Sequence, residues 1–166
     1  MGSVTGLETF SQRIRIMDAI ESVVDILGKE MVKTIRDRVR LGYGNDKDKG
    51  TKTKFIKLLP STRKERERLE KKGLLFPNST ANRSHLTRTG AMMDNLVYQK
   101  EPTKLVILFD DDLQENKAIG HHDGIKSSEG LRKRPFMFLT NLEFKAATRI
   151  IQKGLDDYFD AIARSL

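Results

Sequence analysis

Apolar side chains recur at steps of three and four from Phe10 to Val39, through Ile14, Met17, Ile20, Val24, Leu27, Met31 and Ile35. That spacing lays one apolar stripe along a helix and predicts a single helix from Leu7 to about Arg40. No proline interrupts it, and Gly28 weakens its middle, by roughly 1 kcal/mol relative to alanine. At ~1.5 Å per residue the helix runs about 50 Å, longer than a compact domain of this size needs. Gly42-Tyr43-Gly44-Asn45-Asp46 ends it. Residues 42–57 are polar, lysine-rich and without a period, which predicts a mobile basic loop. Ser61 or Thr62 then caps a short polar helix over about 61–72, stopped by Gly73. Residues 74–85 read as loop, with Pro77-Asn78-Ser79 as turn chemistry.

Thr89-Gly90 opens a second unit, with a short helical turn through Leu96. Val97–Lys100 and Lys104–Phe109 read as two strands joined at Glu101-Pro102-Thr103. The unbroken apolar run Leu105 to Phe109 predicts a central strand covered on both faces. Leu113 to about His121 reads as a short helix, and Arg134–Leu139 as a third strand that Pro135 places at an edge. Asn141 is the expected cap of the last helix. That helix carries an apolar stripe of Leu142, Ala146, Ile150, Leu155, Phe159 and Ile162. The sum is an α+β fold, long N-terminal and C-terminal helices packed on a small, mostly antiparallel sheet. Residues 1–166 are expected to form a single domain.

Composition sharpens this picture. Apolar residues make up 37% of the 166 and charged residues 33%, a low apolar share for a globular chain. In a chain with long helices it suggests an elongated molecule, or one completed by neighbours. The absence of cysteine excludes disulfides and thiolate chemistry. No apolar run approaches the roughly 20 residues that cross a bilayer, and the first residues lack a secretory pattern. The expectation is therefore a cytosolic protein, or one released by lysis. The net charge is +8, and residues 45–72 hold eleven Lys/Arg against five Asp/Glu. Such a segment implies an acidic partner, nucleic acid or an acidic protein face. A solvated loop is the plain alternative.

Few residues offer catalytic chemistry. His121-His122-Asp123 is the one histidine cluster, and His85 the only other histidine. Adjacent histidines point to different sides of an element and rarely share a metal, so a hydrogen-bonding pair is the simpler reading. Asp110-Asp111-Asp112 falls where a strand gives way to a helix, which favours N-capping over magnesium binding. No phosphate-binding, metalloprotease, nucleophile-elbow or dinucleotide motif is present. The expectation is a non-enzyme without a cofactor.

Three pieces together resemble the tail-completion, or virion-morphogenesis, family of long-tailed bacteriophages. They are Leu86-Thr87-Arg88-Thr89-Gly90 followed by Met92, Met93 and Leu96; Ile119-Gly120-His121-His122-Asp123-Gly124; and Arg132-Lys133-Arg134-Pro135-Phe136-Met137-Phe138-Leu139. The spacer 125–131 is polar and lacks the proline often found there, and the N-terminal helix is long for the family. The resemblance implies a structural virion protein of the neck or tail end, assembled in the host cytoplasm. It would act as a head–tail connector or tail terminator, a subunit of a six-fold homo-oligomeric ring. Its neighbours would be neck, connector or tail-tube proteins, with no membrane. Under it, Arg134, Pro135, Phe136 and Phe138 are the candidate assembly residues, fixing their strand between the last helix and a partner. Lys47, Lys49, Lys52 and Lys54 are the candidate contacts to an acidic partner or to packaged DNA in the channel. The alternative, from another class, is a basic nucleic-acid-binding module using residues 45–72.

Overall fold

Helix α1 (Thr5–Arg40), of 36 residues, is the longest of the described elements. The computed structural model describes residues 5–164 except 47, 56, 76–79, 83–85, 87–89, 102–103 and 124–134, with side chains of α1 from Asp18 onward. After α1 come β1 (Tyr43–Asp46), β2 (Thr51–Lys54), α2 (Pro60–Lys71), α3 (Ala91–Asp94), β3 (Leu96–Glu101), β4 (Lys104–Phe109), α4 (Asp112–Asp123) and α5 (Asn141–Ala163). The fold is α+β, two long helices against two separate two-stranded antiparallel sheets, β1–β2 and β3–β4.

Two faces of α1 are used. One carries Val32, Ile35 and Val39 into the core, where they meet Met93, Leu96 and Phe136. The other carries Val23, Leu27 and Thr34 against α5, which runs back antiparallel along α1. Gly154 is the close-approach point of that pair, since a Cβ there would collide with the methyls of Val23.

The segment expected to be a mobile loop, 42–57, contains a hairpin. Tyr43 pairs with Lys54 and Asp46 with Thr51. The amides of Asp48 and Lys49 donate to Asp46 Oδ1 at 3.1 and 3.2 Å, and Gly50 N–H donates to Asp46 O at 2.8 Å. Asn141 N–H donates to Gly50 O at 2.7 Å, which moors the turn to the start of α5. The strand TKTK is exposed along its whole length, so no alternation in the sequence could announce it. The polar helix is present, but its N-cap is Leu59 with Pro60 in the first turn, in place of Ser61 or Thr62. Its C-terminus is a Schellman motif. Gly73 (φ +66°) donates to Glu70 O at 3.0 Å and Leu74 to Leu69 O at 2.9 Å.

The β3–β4 hairpin has the expected strands, with Leu96 opposite Phe109 and Tyr98 opposite Ile107. β4 is one of only two strands in its sheet, however, and Leu105–Leu108 are half-buried, so it is no central strand. Gly28 explains how the hairpin seats on α1. A Cβ at that position would lie 2.7 Å from Tyr98 Cε2 and closer still to Cγ and Cδ2. The Tyr98 ring is held from its far end as well, its hydroxyl donating to Asp25 Oδ1 at 2.5 Å. Gly28→Ala is therefore expected to destabilise the protein by about 1–3 kcal/mol through overpacking, reversing the usual gain from alanine in a helix. Urea midpoints measure it; a variant as stable as the parent would mean that Tyr98 does not rest on the helix.

Asp25 and Tyr98 also couple to pH. Hydrogen bonds from Lys29, then Tyr98, hold the Asp25 carboxyl below its usual range, and the Asp25 carboxylate raises the Tyr98 phenol. A depressed carboxyl contributes stability above its unfolded pKa and loses it as pH falls through the folded one. A raised phenol contributes below its unfolded pKa and loses it as pH rises through the folded one. Tyr98→Phe should therefore melt below the parent at neutral pH, and the gap should close at both the acid and the alkaline end. Melting curves across pH test this.

Candidate functional site

Pro135, Phe136 and Phe138 are brought to the junction of α1, β1 and α5, but not as a strand. Residues 135–140 form an irregular, bent segment. Arg134 lies outside the described residues, as does Lys47. The backbone groups of this segment are taken by side chains and by β1. Asn45 N–H donates to Pro135 O at 2.9 Å, and Phe136 N–H donates to His122 Nδ1 at 3.3 Å. Arg38 Nη2 donates to Phe136 O, and to Phe138 O at 2.9 Å. The carbonyls of Phe136 and Phe138 thus bond to a guanidinium rather than to a neighbouring strand.

Arg38 is the centre of this junction. Its side chain is 1% exposed and pairs with the Glu143 carboxylate, itself 8% exposed. Burial pushes the guanidinium below its ordinary pKa, and Glu143 pulls it back up. Glu143 is also the third residue of α5, where it completes a capping box. Thr140 Oγ1 accepts from Glu143 N–H, and Thr140 N–H donates to Glu143 Oε2 at 2.8 Å. The N-cap is thus Thr140, one residue before the expected Asn141. Arg36, two residues earlier on α1, donates to Met93 O at 2.7 Å, Asp94 O at 2.8 Å and Leu96 O at 2.9 Å. The sequence shows both arginines only as cations suited to a helix C-terminus.

Phe136 is 0% exposed and belongs to the chain's own core, so it presents nothing to a neighbour. Phe138 is 38% exposed and stands edge-on to His122, ring centroids 5.1 Å apart. Of the three candidate assembly residues that are described, the surface share falls to Phe138 and the half-buried Pro135. His122 lies in the last turn of α4 and accepts a hydrogen bond. Asp111 caps α4, its Oδ1 accepting from Gln114 N–H at 2.9 Å.

Lys49 sits in the β1–β2 turn, its ammonium 3.8 Å from the Asp46 carboxylate. Lys52 and Lys54, two residues apart on β2, share one face of the hairpin. Both are exposed and neither has an ionic partner among the described residues. Beside them opens a cleft of about 670 Å³ lined by Leu41, Tyr43, Lys54, Phe55, Lys57 and Arg63.

Several of the exposed apolar side chains lie together on α5. No residue of this helix is buried. Ala147, Ile150 and Gly154 turn toward α1, while Phe144 (65% exposed), Ile151, Leu155 and Phe159 (62%) face away from the core. The expected stripe thus divides into two, and Phe144 and Ile151 are absent from it. Their spacing of seven, four and four from Phe144 to Phe159 is a helical signal in its own right.

Fold and surfaces define a small α+β protein with a two-helix arm, a basic hairpin and an uncovered apolar helix face. No protein-family model, no curated protein and no solved structure matches the chain.

Proposed function

We propose that this chain is a structural virion subunit of a long-tailed phage, acting in a homo-oligomeric ring that completes the tail or joins it to the head. The observation that carries the need for neighbours is the α1–α5 arm. From Asp18 to Leu27 of α1, and along all of α5, no described side chain is buried. Soluble monomers rarely leave so continuous an apolar helix face to water. Placement at the neck or tail end and six-fold symmetry come from the resemblance of the Thr89-Gly90, His121-His122 and Arg134-Pro135-Phe136 segments. A ring closes by rotation and uses two different faces of each subunit. The test is mass-spectrometric localisation in purified particles, compared with particles made without the protein. Neck localisation, with separate full heads and unattached tails in its absence, is expected. Absence from particles removes the proposal.

Lys52 and Lys54 favour a second reading, contact with nucleic acid. Two unpaired cations on one exposed face attract phosphates without reading bases. Neutralising both by Lys52→Ala and Lys54→Ala should weaken duplex DNA binding and lower its log–log salt slope by about 2. An unchanged slope in filter binding would remove these lysines from any DNA contact.

A further inference from the structure

The charges of α5 are sorted along its length. Residues 145–153 carry Lys145, Arg149 and Lys153 with no acid, and residues 156–160 carry Asp156, Asp157 and Asp160 with no base. All six are exposed. Lys145, Arg149 and Lys153 have no ionic partner among the described residues. This order opposes the sense that the helix dipole favours. It also stacks like charges four residues apart, Lys145 on Arg149, Arg149 on Lys153 and Asp156 on Asp160, an unfavourable spacing in an isolated helix. α1 shows the opposite, acids early and Arg38 and Arg40 in its last turn. Among the described residues Asp160 has an ionic partner in Arg164 at 4.0 Å and Asp156 accepts from Gln152 at 3.4 Å, and no described contact accounts for the basic run on α5.

An antiparallel copy of the same helix does. We infer that the exposed stripe Phe144, Ile151, Leu155, Phe159 pairs with the same stripe of a second copy, the two α5 helices antiparallel, in a two-fold dimer. Setting Ile151 against Leu155 of the second copy brings Lys145 level with its Asp160 and Arg149 level with its Asp156, to within a residue. Lys145 and Arg149 of each copy then lie level with acids of the other and Lys153 falls at the two-fold opposite its own copy, while a parallel pair would set every charge against its like. The stripe spans about 22 Å of helix at ~1.5 Å per residue, along the border opposite to the one that α1 occupies. The contact is isologous and closes on itself. It gives a dimer and not a ring, and it goes beyond the ring proposal: it is how the chain covers this face before a ring forms.

The experiment is light scattering and sedimentation equilibrium on the purified full chain. The parent should be a dimer that weakens as salt rises. Leu155→Ser with Phe159→Ser should be monomeric with an unchanged circular dichroism spectrum, since both side chains are exposed. Lys145→Asp with Arg149→Asp makes both halves acidic and should raise the dissociation constant about a hundredfold or more. Adding Asp156→Lys and Asp160→Lys restores opposite halves and should restore the dimer, an outcome that a damaged fold could not produce. A monomeric parent, or a fourfold variant that stays monomeric, overturns the inference. A ring in solution with no dimer also overturns it and leaves the ring proposal standing. A dimer from a protein absent from phage particles does the reverse.

Discussion

Arg38→Met is expected to lower the stability of the protein by about 3–5 kcal/mol, the cost of breaking a buried ion pair by removing one partner. The substitution keeps an apolar stem of similar bulk but removes the guanidinium, and it leaves the Glu143 carboxylate, 8% exposed, without its counter-ion. The carbonyls of Phe136 and Phe138 lose their donor in the same step. An exposed pair such as Lys100 with Glu21 is worth only about 0–1 kcal/mol, so Lys100→Met serves as the control. Glu143→Gln retains a capping-box residue while removing the charge, and it should also be destabilising. The double variant Arg38→Met with Glu143→Gln should be more stable than the sum of the two losses predicts, by about 0.5–3 kcal/mol. Chemical denaturation of the four proteins tests this, and additive losses would show that the two side chains act separately.

Phe136→Ala should cost a similar amount, about 3–5 kcal/mol, because the ring is fully enclosed and its removal leaves a cavity. It packs in one cluster with Ile35, Val39, Met93 and Leu96, and its edge meets the His122 ring at a centroid distance of 5.8 Å. Phe138→Ala two residues on removes a ring that is 38% exposed, and its loss should be well below that of Phe136→Ala. The contrast decides between two accounts of the same segment. In a surface strand the two alternating rings would flank a partner and neither would dominate stability; in the bent segment one ring is core and the other is rim. Equal losses in urea would favour the strand.

Helical elements were legible in the sequence wherever apolar residues recur at helical spacing or caps bracket a polar run, as in α5 and α2, neither of which buries a residue fully. The three-and-four spacing of Phe10 to Val39 marks α1, although among the described residues of that stripe only Ile35 and Val39 are enclosed and Ile20 is 48% exposed. Leu105 to Phe109 is recognisable as a strand from composition alone, although the cover on two faces that its unbroken apolar run suggests is not found, Leu105–Leu108 being half-buried. The β1–β2 hairpin was invisible for want of any such pattern. Thr51–Lys54 buries nothing, so its conformation rests on backbone bonds to Tyr43–Asp46 and on the moorings at Gly42 and Asn141. Gly28 reads as a weak point in isolation and becomes a requirement once Tyr98, 70 positions later, lies on it. Arg38 gives no local sign of being buried, since its partners Phe136, Phe138 and Glu143 are about a hundred residues away. Long-range polar contacts of this kind leave no periodic trace. Phe138, Lys52 and Lys54 were legible as surface candidates, while the split of α5 into two apolar faces needed α1 in place to show which face was spoken for.

The antiparallel pairing of α1 with α5 sets a timetable for the ribosome. α1 emerges about a hundred residues before its partner, so the α1 face bearing Val23 and Leu27 must wait for Asn141–Ala163 to be made. At roughly 5–20 residues per second, about a hundred residues of synthesis hold that face open to water for on the order of 5–20 s. The Arg38 side chain waits equally long for Glu143. A nascent chain stalled anywhere before α5 therefore presents a long amphipathic helix with its late partner missing, a natural target for chaperone capture or proteolysis. Completion of Asn141–Ala163 ends that wait for the α1 face, while the outward stripe of α5 itself, Phe144 to Phe159, stays exposed on the finished chain.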